Sequence, residues 1–125
     1  MATRKTALVI DDKEEIRKAT KTFLSLAGFD STLAMDGLEA KDRLSESSYD
    51  LVVSDIEMPN MNGFELLSFI RRNASSVATP VIMLSSLDGE EVRRRCEKLG
   101  AQAYIVKPFT LDSMKGALAK AGFGA

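Results

Sequence analysis

Short apolar runs alternate five times along the chain with stretches whose apolar residues fall at helical spacing, and this alternation restricts the fold more than any other feature. The runs are Ala7 to Ile10, Ser31 to Ala34, Leu51 to Val53, Val81 to Leu84 and Ala103 to Val106. Most are continuously apolar rather than alternating, as strands of a parallel sheet covered on both faces should be. Ser31 to Ala34 is the weakest and reads as an edge strand. Five β-α repeats predict a doubly wound α/β sheet with right-handed crossovers. At 125 residues and 45% hydrophobic, the chain carries enough apolar material for a single core and is expected to be one domain.

The intervening stretches predict five helices. Ile16, Ala19, Phe23, Leu24 and Ala27 make the clearest amphipathic face, with Gly28 as its stop. Leu38, Ala40 and Leu44 support a weaker second helix over 38–47. Phe64, Leu66, Leu67 and Ile70 support a third over 63–72. Asp88 followed by Glu91 reads as an N-cap with its capping-box partner, opening a helix that buries Val92, Cys96 and Leu99 before Gly100. The last helix starts after Thr110, buries Leu111, Met114, Leu118 and Ala121, and stops at Gly122, with Gly116 as a weak point.

In a doubly wound sheet, ligands bind beyond the carboxyl ends of the strands where strand order reverses. Asp11 and Asp12 follow the first run, Asp55 the third, Ser85 and Ser86 the fourth, and Lys107-Pro108 the fifth. Any one of these acids alone reads as well as a turn or cap residue. Three acids, a hydroxyl and a lysine at corresponding strand ends are harder to assign to capping. Gathered carboxylates repel and hold their protons more tightly unless a cation compensates. A hard, oxygen-liganded Mg2+ with a phosphoryl group would resolve that repulsion. A carboxylate is also a competent nucleophile for covalent phosphoryl transfer, in which the protein mainly positions groups and neutralises charge.

Composition closes other routes. The chain has no histidine, which removes Ser-His-Asp and Cys-His catalysis, His-ligated zinc and an internal phosphohistidine. Seventeen Lys and Arg against eighteen Asp and Glu give a net charge of −1, without the basic excess of a DNA binder. Cys96 is the single cysteine and reads as an inert buried thiol. No apolar run reaches the roughly 18 residues of a membrane span, and the first five residues lack the apolar core of a signal peptide. A cytoplasmic protein without membrane insertion is expected.

Four segments carry a resemblance: Val9-Ile10-Asp11-Asp12, Asp55-Ile56-Glu57-Met58-Pro59-Asn60-Met61-Asn62-Gly63, Met83-Leu84-Ser85-Ser86 and the stretch from Gly100 to Phe109. In order and spacing they resemble the receiver domain of two-component response regulators, with a core of about 5–121. The resemblance implies a flavodoxin-like receiver fold of five parallel strands in the order 2-1-3-4-5 with five helices. It implies that Asp55 accepts a phosphoryl group from a phosphohistidine on a sensor histidine kinase or phosphotransfer protein. Asp12, Asp55 and the backbone carbonyl of Glu57 would bind Mg2+ directly, and Asp11 through water. Lys107 and the Ser85 hydroxyl would bind phosphoryl oxygens, with a cis Lys107-Pro108 bond aiming the lysine inward.

As implied by the family, movement of Ser85 toward the phosphoryl group lets Tyr104 turn, which alters the face of the fourth helix, fifth strand and last helix for a downstream protein target. That is a two-state element biased by a local charge. Glu57 and Leu87 occupy rate-tuning positions, and Leu87 otherwise reads as a loop residue packed on a helix. Lys41 and Asp42 stand where an apolar helix face is usual. At about 100° per residue, Arg93 and Arg94 should point away from the core as a solvated face or as output surface for an acidic partner. Output is expected through association with another protein, as a regulatory domain rather than an enzyme, and as a monomer or weak dimer. Two segments, 55–59 and 103–107, are similar to chemotaxis receivers. The alternatives are a receiver-shaped interaction module that no longer uses phosphorylation and an aspartate-nucleophile phosphohydrolase. In the latter, Glu57 would stand where a second Asp is expected.

Overall fold

A computed structural model describes residues 4–123 of the chain. Its strands are β1 (Lys5–Ile10), β2 (Phe29–Ala34), β3 (Leu51–Asp55), β4 (Val81–Ser85) and β5 (Ala103–Val106), all parallel, in the order β2-β1-β3-β4-β5. The order reverses between β1 and β3, so the crevice lies beyond the ends of those strands. β3 and β4 are buried at every position, whereas the edge strand β2 is buried only at Phe29 and Ala34. The apolar runs therefore mark the central strands and the polar-rich Asp30-Ser31-Thr32 an edge.

Alternate side chains of each strand feed opposite layers. Val9, Val53, Ile82, Leu84 and Ile105 face α1 (Glu14–Leu26) and α5 (Leu111–Leu118), where Leu24, Met114 and Leu118 complete the core. Leu8, Ile10, Val52, Val81 and Met83 face the other layer, α2 (Gly37–Glu46), α3 (Gly63–Arg72) and α4 (Glu90–Lys98), which contributes Leu44, Leu66, Ile70 and Cys96. A fully buried Leu or Ile contributes ~2 kcal/mol, so the helices are held mainly by these faces. Asp36, Asn62 and Thr110 cap α2, α3 and α5 by accepting from the backbone N–H three residues on.

Three expectations change. The N-cap of α4 is Gly89, without a side-chain cap, so the Asp88 signal falls one residue early. Leu38 is 50% exposed because α2 buries the stripe Gly37, Ala40 and Leu44, and Leu38 lies about 100° round from Gly37. Leu111, at the first position of α5, is 38% exposed beside Leu26. The chain leaves α5 through a wider turn over Ala119–Phe123, where Gly122 takes φ +97°. Lys41 does not disrupt α2: its ammonium lies 4.9 Å from the centre of the Phe69 ring on α3.

Candidate functional site

The carboxylates of Asp11, Asp12 and Asp55 offer oxygens within 4.8 Å of one another at the carboxyl ends of β1 and β3. Asp11 and Asp55 are buried and Asp12 is exposed. Asp11 is fixed on both oxygens: Oδ1 accepts from the Lys13 N–H at 2.9 Å and Oδ2 from Lys107 Nζ at 2.9 Å. Arg17 adds a hydrogen bond of 2.7 Å to the Asp11 carbonyl, tying the first turn of α1 to the strand end. Lys107 also lies 3.1 Å from Asp55 Oδ1, and the Lys107-Pro108 bond is cis. Burial opposes the lysine charge, but the hydrogen bond to Asp11 and the Asp55 carboxylate hold its pKa above the usual lysine range.

Asp55 is the frustrated member. Burial, then the Asp11 charge, push its pKa from 3.8 up to about 6, although Lys107 pulls the other way. The ion-pair contact lacks hydrogen-bond geometry, so buried Asp55 Oδ1 has no hydrogen-bond partner. An orphaned buried oxygen, a cluster of three acids and an all-oxygen donor set fit a hard divalent cation such as Mg2+.

The loop that carries the chain away from Asp55 is pressed against the acceptor. The Gly63 N–H donates to the Ile56 carbonyl at 2.9 Å. A Cβ on Gly63 would sit 2.8 Å from Ile56 Cα and 2.8 Å from Met83 Cε, and would also strike the Asp55 carbonyl. Met58 and Met61 are half-buried against the helical layer, and a Cβ on Gly37 would meet Met61 Cβ at 2.7 Å.

Ser85 sits at the end of β4, buried, but its hydroxyl is turned to Glu57. Burial would raise the Glu57 pKa, yet hydrogen bonds from Ser85 and Ser86 hold it below the ordinary glutamate range. Leu87 is 50% exposed, and its backbone is bonded through an N–H to Ser85 Oγ and a carbonyl that accepts from the Tyr104 hydroxyl. Tyr104 is half-buried on β5, and Arg93 places its guanidinium 5.5 Å from the ring centre. Arg93 is therefore folded onto the tyrosine, whereas Arg94 is exposed beside Glu90 at 3.8 Å. Cys96 is the buried residue of α4, and burial lifts its thiol pKa to about 11.

The acids and the lysine thus converge as read from the strand ends, while the hydroxyl and the aromatic are held by a separate set of bonds. Sequence reasoning missed the Glu57 side-chain contacts, the Arg17 bond and the contact demanded of Gly63. A glycine placed directly after the helix-capping Asn62 was the available signal for the last.

Comparison with known proteins gives a consistent result. The family model described as "Response regulator receiver domain" matches residues 7–119. Protein PilG of Pseudomonas aeruginosa is 34% identical over 111 residues, covering 89% of this chain and 82% of that protein. Chemotaxis protein CheY-3 of Vibrio cholerae is 37% identical over 114 residues, covering 90% and 88%. Among solved structures, the Vibrio cholerae chemotaxis response regulator CheY4 superposes with a TM-score of 0.88 at 30% identity, covering 95% of this chain and 99% of that one. The Francisella response regulator 1452 receiver domain gives 0.84 at 34% identity, covering 94% and 97%.

Proposed function

The chain belongs to the response regulator receiver domain family, and from that premise we propose that it is a phosphorelay switch in which Asp55 takes a phosphoryl group from a phosphohistidine of a sensor kinase or phosphotransfer protein. The observation that carries this reading is Asp55 itself: buried, 3.1 Å from Lys107 Nζ, and with its buried Oδ1 lacking a hydrogen-bond partner. An Asp held only for structure would have both oxygens satisfied.

Even with its pKa lifted to about 6, Asp55 is roughly nine-tenths ionised at pH 7 and can act as the nucleophile. Its carboxylate oxygen bonds to phosphorus as the phosphorus–nitrogen bond of the donor imidazole breaks, which leaves an acyl phosphate on this chain and a free imidazole on the donor. Lys107, held between Asp11 and Asp55, stands ready to neutralise a phosphoryl oxygen. Asp12, Asp55 and the Glu57 carbonyl would hold Mg2+, with Asp11 contributing through water. The chemistry supplied by the bound ion is neutralisation of charge on the transferring oxygens. Glu57 and Leu87 stand beside the path of a hydrolytic water and tune the lifetime of the acyl phosphate.

Output runs through Ser85 and Tyr104 to the face formed by α4, β5 and α5. That face carries a groove of about 370 Å³ lined by Arg93, Tyr104, Pro108, Ser113 and Lys120 among others. A downstream protein binds there, with no direct contact to DNA. Similarity to chemotaxis protein CheY-3 makes a chemotaxis pathway the first to test. The switch works in the cytoplasm as one receiver domain over 1–125, monomeric or weakly dimeric; no helix among the described residues is long and apolar enough to cross a membrane.

Intact mass after incubation with a small-molecule phosphoryl donor, with and without Mg2+, tests the reading. One labile, Mg2+-dependent adduct is expected on the wild type and none on Asp55→Asn. Phosphate retained by the variant overturns the assignment of Asp55. Absence of both adduct and released phosphate favours an interaction module.

A further inference from the structure

Every hydrogen bond around the Ser85 hydroxyl leads to Glu57 or away to Tyr104. Ser85 Oγ donates to Glu57 Oε2 at 2.7 Å. Ser86 donates twice to Glu57 Oε1, from its N–H at 3.0 Å and its Oγ at 2.9 Å. Both oxygens of this one carboxylate are therefore spent on the loop between β4 and α4. Ser85 Oγ accepts from the Leu87 N–H at 2.9 Å, and the Leu87 carbonyl accepts from the Tyr104 hydroxyl. The result is an unbroken chain of bonds from the residue two past the phosphoacceptor to the ring on β5, whose outer side is covered by Arg93.

We infer that Glu57 is a latch, a positioning residue whose carboxylate holds Ser85, Ser86 and, through Leu87, Tyr104 in the resting arrangement, and that a phosphoryl group on Asp55 switches the protein by displacing it. The inference rests on the phosphoacceptor reading above and adds to it the state that phosphorylation must undo. A hydroxyl has one proton, so Ser85 can donate to one anion at a time. The Glu57 carboxylate and an aspartyl phosphate compete for that proton, and both are charge-assisted acceptors of similar strength. The phosphoryl group biases the exchange twice. It offers Ser85 a second anion, and it adds negative charge on the side chain two residues before that of Glu57. Once Ser85 turns, the Leu87 N–H loses its acceptor, and the loop that anchors the Tyr104 hydroxyl is free to move.

The latch is tested on the full chain by nuclear magnetic resonance, without metal or phosphoryl donor, in wild type, Glu57→Ala and Glu57→Gln. The readouts are the Ser86 and Leu87 amides and the cross-peaks between the Tyr104 ring and Arg93. Phosphorylated wild type supplies the active reference positions. In Glu57→Ala, the Ser86, Leu87 and Tyr104 signals are expected to move along the line from resting to phosphorylated positions, and the Tyr104–Arg93 cross-peaks to weaken. A roughly tenfold shift of the resting equilibrium corresponds to loss of one net charged hydrogen bond. Glu57→Gln keeps an acceptor oxygen without the charge and is expected to fall between. Unchanged amides of Leu8 and Val53 show that the fold is intact.

Resting positions in Glu57→Ala, with Asp55 of the wild type demonstrably phosphorylated and its Tyr104 moved, overturn the latch alone. Failure to label wild-type Asp55 at all, read separately by intact mass, overturns the phosphoacceptor reading and the latch with it.

Discussion

Replacing Asp55 by Asn should make the metal-free protein more stable, by an amount that depends on pH in a defined way. Burial and the neighbouring Asp11 raise the Asp55 pKa from 3.8 to about 6, so the folded state binds this proton more tightly than the unfolded chain does. At 1.36 kcal/mol per pH unit, that interval corresponds to about 3 kcal/mol. The sign follows from which state holds the proton. Below about pH 3.8 both states are protonated and Asp55 costs nothing. As pH rises through about 6, the folded state must ionise a buried carboxylate, and the stability that the bound proton supplied is lost. The side-chain amide of the variant has no such ionisation, so at pH 7 Asp55→Asn should exceed wild type by about 3 kcal/mol, and by little near pH 4. For 125 residues this is a rise in Tm of roughly 10 °C. Urea unfolding of both proteins in a chelator, from pH 4 to 8, measures the difference. A variant equal to or weaker than wild type at pH 7, or a gap that does not narrow on acidification, refutes the reasoning. Saturating Mg2+ should shrink the gap from the other side, because a cation at about a hundred times its Kd stabilises the folded wild type by about 2.7 kcal/mol while the variant lacks one ligand.

Gly63→Ala should destabilise by about 1–3 kcal/mol in thermal unfolding and slow phosphorylation of Asp55, since the new methyl meets backbone on β3 and the Met83 side chain. Equal rates and Tm would show that the loop yields without cost. Arg71→Ala should cost about 2–4 kcal/mol in urea unfolding: its guanidinium donates to the carbonyls of Gly100 and Thr79 at 2.7 Å each and to Gln102 Oε1 at 3.0 Å, stapling two loops away from the site. Asp55 labelling by a phosphoryl donor should survive in that variant. Cys96 should resist a thiol reagent at pH 8 in the folded protein and react on denaturation, because burial lifts its pKa to about 11; rapid labelling of the native state would place it elsewhere.

Much of this was legible because the relevant signals are carried by residue type at fixed intervals. Continuous apolar runs can be buried on both faces only in a covered parallel sheet, and once the sheet is doubly wound, Asp11, Asp12, Asp55 and Lys107 must meet at its crevice. The acids end their strands, so a small error in strand length moves them little: β3 runs on to Asp55 and β4 to Ser85, beyond the apolar residues that marked them. Helix boundaries that depend on local capping were less secure. The Asp88 and Glu91 pair has the spacing of a capping box, but Gly89 caps α4 in extended backbone, after a loop whose start is bonded to Glu57. The contact of Arg93 with Tyr104 was not legible for a related reason. Periodicity orients a side chain relative to its own helix and says nothing of Tyr104 on the neighbouring strand.

The contrast between the two halves of the site has a physical origin. Like charges gathered by topology create a demand that is visible without coordinates: three acids and one lysine leave negative charge uncompensated, and Asp55 carries the consequence in its raised pKa. The switch half makes no such demand, because Ser85, Ser86, Leu87, Tyr104 and Glu57 satisfy one another locally. A serine hydroxyl has many possible acceptors, and the one it takes is decided by side-chain directions at the end of β4 rather than by spacing along the chain. On the proposed reading, the frustrated half would drive the chemistry and the satisfied half would store the resting state. Coupling would then require only that relief of the first compete for a group used by the second, and Ser85 Oγ would be that group. The strength of the proposed switch then depends on the difference between two anionic acceptors for one proton, so modest changes at Glu57 should retune the resting balance together with the lifetime of a phosphoryl group on Asp55.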